Sequence, residues 1–269
     1  MSTIGFIGSG NMAEALIRGI IAAKVYAPPS IFISDVRQER LEELAEKYGV
    51  IPCDTNVRVV ERVETVVLSV KPQVMDEALQ SIKNAGKGGK LFISIAAGIK
   101  IAKIAAVLGE IPIIRVMPNT PALIGEGASA LFANERARPL LDRALSIFAA
   151  VGKAVVVEKE GLIDSVTAVS GSGPAYFFLL MEAMIDAALA LGLPPGVAKD
   201  LVLQTARGAG LLATEADKNG ESPAVLRRKV TSPGGTTEAA LKVFAAHDFQ
   251  RLVNDALKAA RDRSRELSG

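Results

Sequence analysis

The segment Gly8-Ser9-Gly10-Asn11-Met12-Ala13 has the spacing G-x-G-x-x-A. Each small residue in it has a physical task beside a dinucleotide. Gly8 permits a tight turn after the apolar run Thr3–Ile7. Gly10 lacks a side chain, so a pyrophosphate can approach the backbone. Ala13 lets the following helix lie close to the preceding strand. The helix start adds free N–H groups and the positive end of its dipole. Gly8, Ser9, Gly10, Asn11 and Met12 are therefore expected to hold the pyrophosphate of a nicotinamide dinucleotide.

The choice between the two nicotinamide cofactors falls on the end of the next strand. Asp35 stands there, 27 residues beyond Gly8, with Lys24–Pro29 supplying extra loop. An acid at this place accepts the ribose hydroxyls of NAD (NADH) and repels the added phosphate of NADP (NADPH). Ser34 and Arg37 beside it could instead hold that phosphate, and Asp35 with Arg37 could simply form a solvated helix start. These residue types leave the choice open.

Two later segments, Ser170–Tyr176 and Val230–Glu238, are too rich in small polar residues to be packing helices. The second runs into a helical pattern. Gly234–Thr237 can thus present several backbone N–H groups with two hydroxyls beside them, a nest suited to a carboxylate. Thr236 or Thr237 could also serve as an ordinary helix cap, and the two roles are compatible.

The elements that must position these residues alternate in the first half of the chain. Strands are expected at Thr3–Ile7, Ile31–Ser34, Thr65–Val70, Leu91–Ile95 and Ile113–Met117, with two more at Ser129–Phe132 and Ala154–Val157. Helical patterns lie between them at 11–23, 37–48, 56–62, 73–84, 101–108 and 136–150. Apolar strands alternating with helices imply a mostly parallel, doubly wound α/β sheet of Rossmann type. After about Glu158 no β-rich run appears. Helices are expected at 176–191, 196–214, 223–230, 238–245 and 249–266, with Pro194-Pro195 separating the first two. The expected domains are residues 1–160, binding the dinucleotide, and 161–269, all α.

Bulk properties narrow the function further. The 269 residues carry a net charge of +2, with basic residues spread along the chain, so nucleic acid is not an expected partner. One cysteine and one histidine exclude an internal disulfide and a multi-histidine metal centre, and no metal is expected. Cys53 reads as a buried, inert thiol, and His247 as a cap or surface residue. The longest apolar stretch, Ala175–Leu193, contains Glu182 and Asp186 on one helical face, which disfavours a membrane span. It reads as a buried or subunit-facing helix. The N-terminus runs directly into a strand with no signal-peptide pattern, so a cytoplasmic location is expected.

Several motifs in order resemble the pyrroline-5-carboxylate reductase family over nearly the whole chain. They are Gly5–Met12, Val70-Lys71-Pro72, Ile95–Gly98, Arg115–Pro121, Ser170–Tyr176 and Val230–Thr237. The resemblance implies reduction of 1-pyrroline-5-carboxylate to L-proline, the last step of proline synthesis, with NADPH or NADH. It also implies that Ser69, Val70, Lys71, Pro72, Ile95, Ala96 and Ala97 line the ribose and nicotinamide side, with Asn56 near the adenosine ribose. Ser232, Gly234, Gly235, Thr236 and Thr237 would bind the substrate carboxylate and ring. The helical domain would build a homodimer or a ring of dimers, with the active site shared between subunits.

A cyclic imine is basic enough to arrive partly protonated, so hydride transfer to its C=N needs no strong acid. Thr237 is the first candidate to hydrogen-bond the imine nitrogen and Lys71 the second; the alternative for Lys71 is a structural hydrogen bond. Two other readings compete. A hydroxyacid dehydrogenase of the 3-hydroxyisobutyrate type also joins a Rossmann domain to helices, but needs a catalytic lysine there. Lys199 is the only lysine in the first two long C-terminal helices. A non-catalytic sensor of the cofactor or of proline is the other.

Overall fold

The computed structural model describes residues 2–268; Met1 and Gly269, the outer ends of the two expected domains, lie outside them. The chain forms two compact units. One comprises Met1–Pro174 with Lys258–Gly269, the other Ala175–Leu257.

The first unit holds one eight-stranded sheet. Its strands are β1 Ile4–Ile7, β2 Ile31–Ser34, β3 Ile51–Pro52, β4 Thr65–Leu68, β5 Leu91–Ser94, β6 Ile113–Met117, β7 Gly127–Ala133 and β8 Gly152–Val156. They are ordered β3-β2-β1-β4-β5-β6-β7-β8. All neighbours run parallel except β6 and β7. Strand order reverses at β1, where the chain crosses from β3 back past β1 to β4. A ligand crevice is expected at the carboxyl ends of strands around such a point.

Helices cover both faces: α1 Asn11–Ala22, α2 Gln38–Tyr48, α3 Asn56–Arg62, α4 Met75–Ser81, α5 Ile101–Leu108 and α6 Leu141–Ala149. Strand side chains alternate between two cores. Ile4, Phe6 and Val67 pack with Leu16, Ile20, Leu44 and Phe148 on one face. Ile7, Val66, Leu68 and Phe92 pack with Val59, Leu79 and Ile104 on the other. Strands apolar on both sides are what a doubly covered parallel sheet requires.

Two expected helices start later than their patterns do. The pattern at 73–84 opens as a 3-10 turn, Pro72–Val74, before α4. That at 136–150 opens as 3-10 helix over Glu135–Leu140, with Pro139 inside it. Proline cannot donate its missing N–H into an α-helical ladder, so α6 begins only after it.

Beyond β8 come α7 Leu162–Val166, a π-turn Thr167–Gly171 and α8 Gly173–Ala190. The segment Ser170–Tyr176, expected to be non-helical, is thus the end of the π-turn and the start of α8. Gly173 and Pro174 sit in the first turn, where the lack of a proline N–H is harmless.

The second unit contains most of α8, then α9 Pro195–Asp217, α10 Pro223–Lys229, α11 Thr236–Ala246 and the beginning of α12 Phe249–Ser268. In the single chain α8 is exposed, not buried. Phe177, Phe178, Leu179 and Leu180 are all open to solvent. Four consecutive residues point in four directions around a helix, so this apolar surface is not one stripe. The Leu162–Ala190 run is long and apolar enough to cross a bilayer. Glu182 and Asp186 interrupt it, and line a shallow groove with Phe178, Met181, Ile185 and Leu203.

Candidate active site

The glycine turn is fastened from three sides. Gly8 N–H donates to the Ser34 carbonyl at 2.9 Å. The Ser9 N–H donates to Asp35 Oδ2 at 2.8 Å, and the Ser9 hydroxyl to the Ser34 carbonyl at 3.2 Å. Arg40 Nε donates to the Ser9 carbonyl at 2.9 Å. Ser9 is fully buried. It braces the turn from behind and does not face the cleft.

The two glycines answer to different demands. Gly8 has φ +90°, and a Cβ there would stand 2.8 Å from Val70 Cγ1 and 2.9 Å from the Val70 nitrogen. The fold itself requires glycine at this position. Gly10 has φ −72° and ψ −176°, open to any residue. A Cβ there would meet nothing within 4 Å. Nothing in the chain demands glycine at position 10. What it keeps clear is the floor of a cleft, directly ahead of the first free N–H groups of α1.

That cleft has a volume of about 860 Å³, within the range for organic ligands. It runs along the carboxyl ends of the strands. Gly8, Gly10, Asn11 and Met12 line it after β1, Asp35, Val36 and Arg37 after β2, and Asn56 at the start of α3. Ser69, Val70, Lys71 and Pro72 follow β4, and Ile95, Ala96 and Ala97 follow β5. The cleft thus gathers all the expected cofactor residues except Ser9 and Ser34. Ser34 is buried behind it: its hydroxyl lies 2.8 Å from Asn56 Oδ1, and Asn56 Nδ2 donates to Ser81 Oγ at 2.9 Å. Ser34 therefore orients Asn56 and is not in reach of a phosphate.

The sequence reading missed part of the lining. Met117 at the end of β6, Pro118, Asn119 and Thr120 just beyond it, Gly171 in the π-turn, and Val36 also line the cleft. Position alone could have found the first four, since they end or follow a strand at the same sheet edge. Val36 is 97% exposed, an apolar surface beside Asp35 at the adenosine end. The Asn119 side chain locks its segment: Nδ2 donates to the Ser170 carbonyl at 3.0 Å and Oδ1 accepts from Ala128 N–H at 2.8 Å.

Electrostatics sharpen the adenosine end. Burial alone would raise the Asp35 pKa. Hydrogen bonds from the Arg37 side chain and from the Ser9 and Arg37 backbones outweigh it and hold the carboxyl below its usual range. Asp35 is thus an anion clamped between the turn and Arg37 Nε at 3.1 Å.

One layer out, Glu14 of α1 gathers Lys47 at 2.8 Å, the Tyr48 hydroxyl at 2.8 Å, and Arg40. Burial would raise its pKa, but these donors outweigh it and lower it from 4.5 to about 2. The resulting stabilisation is complete above the unfolded-state value and is lost as pH falls from about 4.5 to about 2. Glu14→Gln should therefore lower the melting temperature by a few degrees at neutral pH, and the two proteins should converge below about pH 2. Thermal melts followed by circular dichroism across pH check this; a difference that persists in acid would disprove it.

The expected substrate residues belong to the second unit. Ser232, Gly234 and Gly235 precede α11, and Thr236 and Thr237 form its first two positions, with Gly235 as the cap residue. Neither threonine caps the helix. Instead Glu238 reaches back, its Oε2 accepting from Gly234 N–H at 2.6 Å. A carboxylate of the chain itself already uses one N–H of this loop, and Lys242 stands 3.2 Å from the other Glu238 oxygen. Among the described residues no cluster of three or more histidine, cysteine, aspartate or glutamate side chains could hold a metal.

The chain resembles known proteins along its whole length. The sequence pattern of pyrroline-5-carboxylate reductase dimerisation domains matches residues 160–267, and that of coenzyme F420-dependent NADP oxidoreductases matches residues 3–98. The pyrroline-5-carboxylate reductase of Pseudomonas aeruginosa is 48% identical over 100% of this chain and 98% of its own. That of Arabidopsis thaliana is 41% identical over 98% and 95%. The crystal structure of the Coxiella burnetii enzyme superposes with a TM-score of 0.93 at 40% identity, covering 100% of this chain and 99% of that one. The Plasmodium falciparum enzyme, solved with NADP bound, gives 0.86 at 31% identity, covering 100% and 98%. A dinucleotide cleft at the switch point of a doubly wound sheet and likeness along the whole length lead to one assignment: the chain belongs to the pyrroline-5-carboxylate reductase family of NAD(P)H-dependent oxidoreductases.

Proposed function

We propose that this chain reduces 1-pyrroline-5-carboxylate to L-proline with its first unit holding NADPH or NADH and the loop ahead of α11 holding the substrate carboxylate. The observation that carries the cofactor half is Gly10, a glycine that the fold does not need and that keeps the cleft floor open beside a helix start. Pyrophosphate over Gly10 and adenosine toward Asp35 and Asn56 leave the ends of β4, β5 and β6 for the nicotinamide. When bound, the cofactor supplies the hydride.

The residues supply binding and orientation. Helix α1 offers N–H groups to the pyrophosphate. Asp35 and Arg37 meet the ribose at the adenosine end. Gly234–Thr237 offer N–H groups to the substrate carboxylate, which must displace the Glu238 carboxylate from Gly234. Thr237 donates a hydrogen bond to the imine nitrogen; a substrate that arrives protonated needs positioning more than an acid. Lys71, exposed after β4, is the second donor candidate.

We assign cofactor binding to residues 1–160 together with Gly171 of the π-turn, and substrate binding and self-association to the remainder of 161–269. The exposed apolar surface of α8 supports a homodimer or a ring of dimers. Spread charge and the acids of α8 support neither nucleic acid nor membrane as partner. A single cysteine is compatible with a cytoplasmic enzyme.

Purified protein should oxidise NADPH or NADH when pyrroline-5-carboxylate is added, followed by loss of reduced-cofactor absorbance, and should not oxidise 3-hydroxyisobutyrate. Turnover of the hydroxyacid with none of the imine would overturn the reading. Titrating each cofactor in the same assay gives the preference.

A further inference from the structure

Beneath the cleft, on the α5 side of the sheet, lies a cluster of charges that the reaction does not use. Arg115 of β6 is only 2% exposed. Its Nη1 stands 3.2 Å from Glu160 Oε1 and its Nη2 3.9 Å from Asp164 Oδ1 of α7. The same Glu160 oxygen accepts the N–H of Ile101 at 2.8 Å, the first residue of α5. Asp164, itself buried, accepts from the Ser264 hydroxyl at 2.8 Å and the Ser268 hydroxyl at 3.4 Å, both on the last turns of α12.

These contacts bracket one loop. Residues 95–100 connect β5 to α5, and Ile95, Ala96 and Ala97 line the cleft. At the near end, Ser94 stands in register with Arg115, and its buried hydroxyl has no hydrogen-bond partner among the described residues. That side chain does not fasten the loop. At the far end the Glu160 carboxylate takes an N–H that α5 leaves unpaired. In the middle, Gly98 at φ +75° lies against the end of α12: a Cβ there would stand 3.2 Å from the Leu267 carbonyl oxygen.

We propose that Glu160 is a positioning residue for hydride transfer, fixing the Ile95–Gly98 loop through the α5 N-terminus, and that Asp164, Ser264 and Ser268 seat the end of α12 as the loop's outer stop. The inference rests on the nicotinamide lying toward β5, as argued above. A loop held at one end by an anion and at its middle by a helix end keeps its backbone in place when the ring is bound. Displacement of about 1 Å at a reacting centre costs on the order of 100-fold in rate. Glutamine at 160 keeps the acceptor oxygen and removes the charge; alanine removes both.

The test compares Glu160→Ala, Glu160→Gln and Ser264→Ala in the full-length enzyme. Amide hydrogen exchange of the unliganded protein, read by mass spectrometry over residues 95–104, is the first readout. Exchange should quicken on the order of tenfold in Glu160→Ala, stay near the parent in Glu160→Gln, and quicken less in Ser264→Ala. In turnover, Glu160→Ala should lose roughly 10- to 100-fold in kcat, with a larger isotope effect from deuterated NADPH and a nearly unchanged NADPH Kd. Glu160→Gln should recover most of that loss. Should Glu160→Ala fail to fold, Ser264→Ala decides alone, since it removes one hydroxyl and no charge. Unaltered exchange in a folded variant, or glutamine behaving like alanine, overturns the inference and leaves the cofactor cleft untouched. Faster exchange with unaltered kcat overturns the placement of the nicotinamide, and the inference with it.

Discussion

Gly10→Val is expected to weaken NADPH binding on the order of 100-fold and to leave the fold intact. Position 10 has ordinary dihedral angles and open space where a side chain would grow, so a Cβ there meets no protein atom within 4 Å. It does stand where a phosphate must approach the α1 N–H groups. Overlap of this kind costs about 1–3 kcal/mol before the lost hydrogen bonds are counted, so Kd should rise on the order of 100-fold. Gly10 caps α1 without a side-chain bond, and valine is a poorer cap, so a stability loss of no more than about 1 kcal/mol is expected. Fluorescence titration with NADPH and a thermal melt separate the two effects. Parent affinity in the valine variant would refute the assignment of the cleft.

Thr237→Ala separates the substrate half from the cofactor half. Thr237 occupies the second position of α11 and takes no part in capping it. Its removal should cost little stability. If its hydroxyl donates to the imine nitrogen, the loss falls on the transition state, where charge at that nitrogen changes. Single donors of this kind contribute about 100-fold. Steady-state kinetics should show kcat down by that order, with the NADPH Kd unchanged. Unaltered kcat and KM for pyrroline-5-carboxylate would remove Thr237 from the site and turn attention to Lys71.

Much of this was legible in the sequence because the signals are local. The glycine turn, the apolar strands and the long C-terminal helices each carry their cause within a few residues. The missed strand β3 is two residues, Ile51–Pro52, too short for any alternation to register. The roles of Ser9 and Ser34 were not legible, because residue type does not reveal whether an N–H faces a ligand or a neighbour. Ser9 gives its N–H to Asp35, 26 residues away. Arg115 is the extreme case. A charged residue in an apolar strand has no local explanation; its partners Glu160 and Asp164 lie 45 and 49 positions later. Composition left α8 as either a buried or a subunit-facing helix, and the single chain exposes its apolar residues.

The tie between Ser9 and Asp35 couples two properties that cofactor redesign treats as separate. To favour NADPH by replacing the acid at the adenosine ribose with an apolar side chain is also to remove the acceptor that holds the glycine turn. A residue at 35 with no acceptor oxygen would relieve repulsion of the added phosphate, yet leave a buried N–H unanswered and loosen the pyrophosphate seat shared by both cofactors. Selectivity and affinity therefore pull against each other at one carboxylate. A chain drifting from one cofactor to the other would first need a substitute brace for the turn, so the order of substitutions, and not only their identity, limits which switches are reachable.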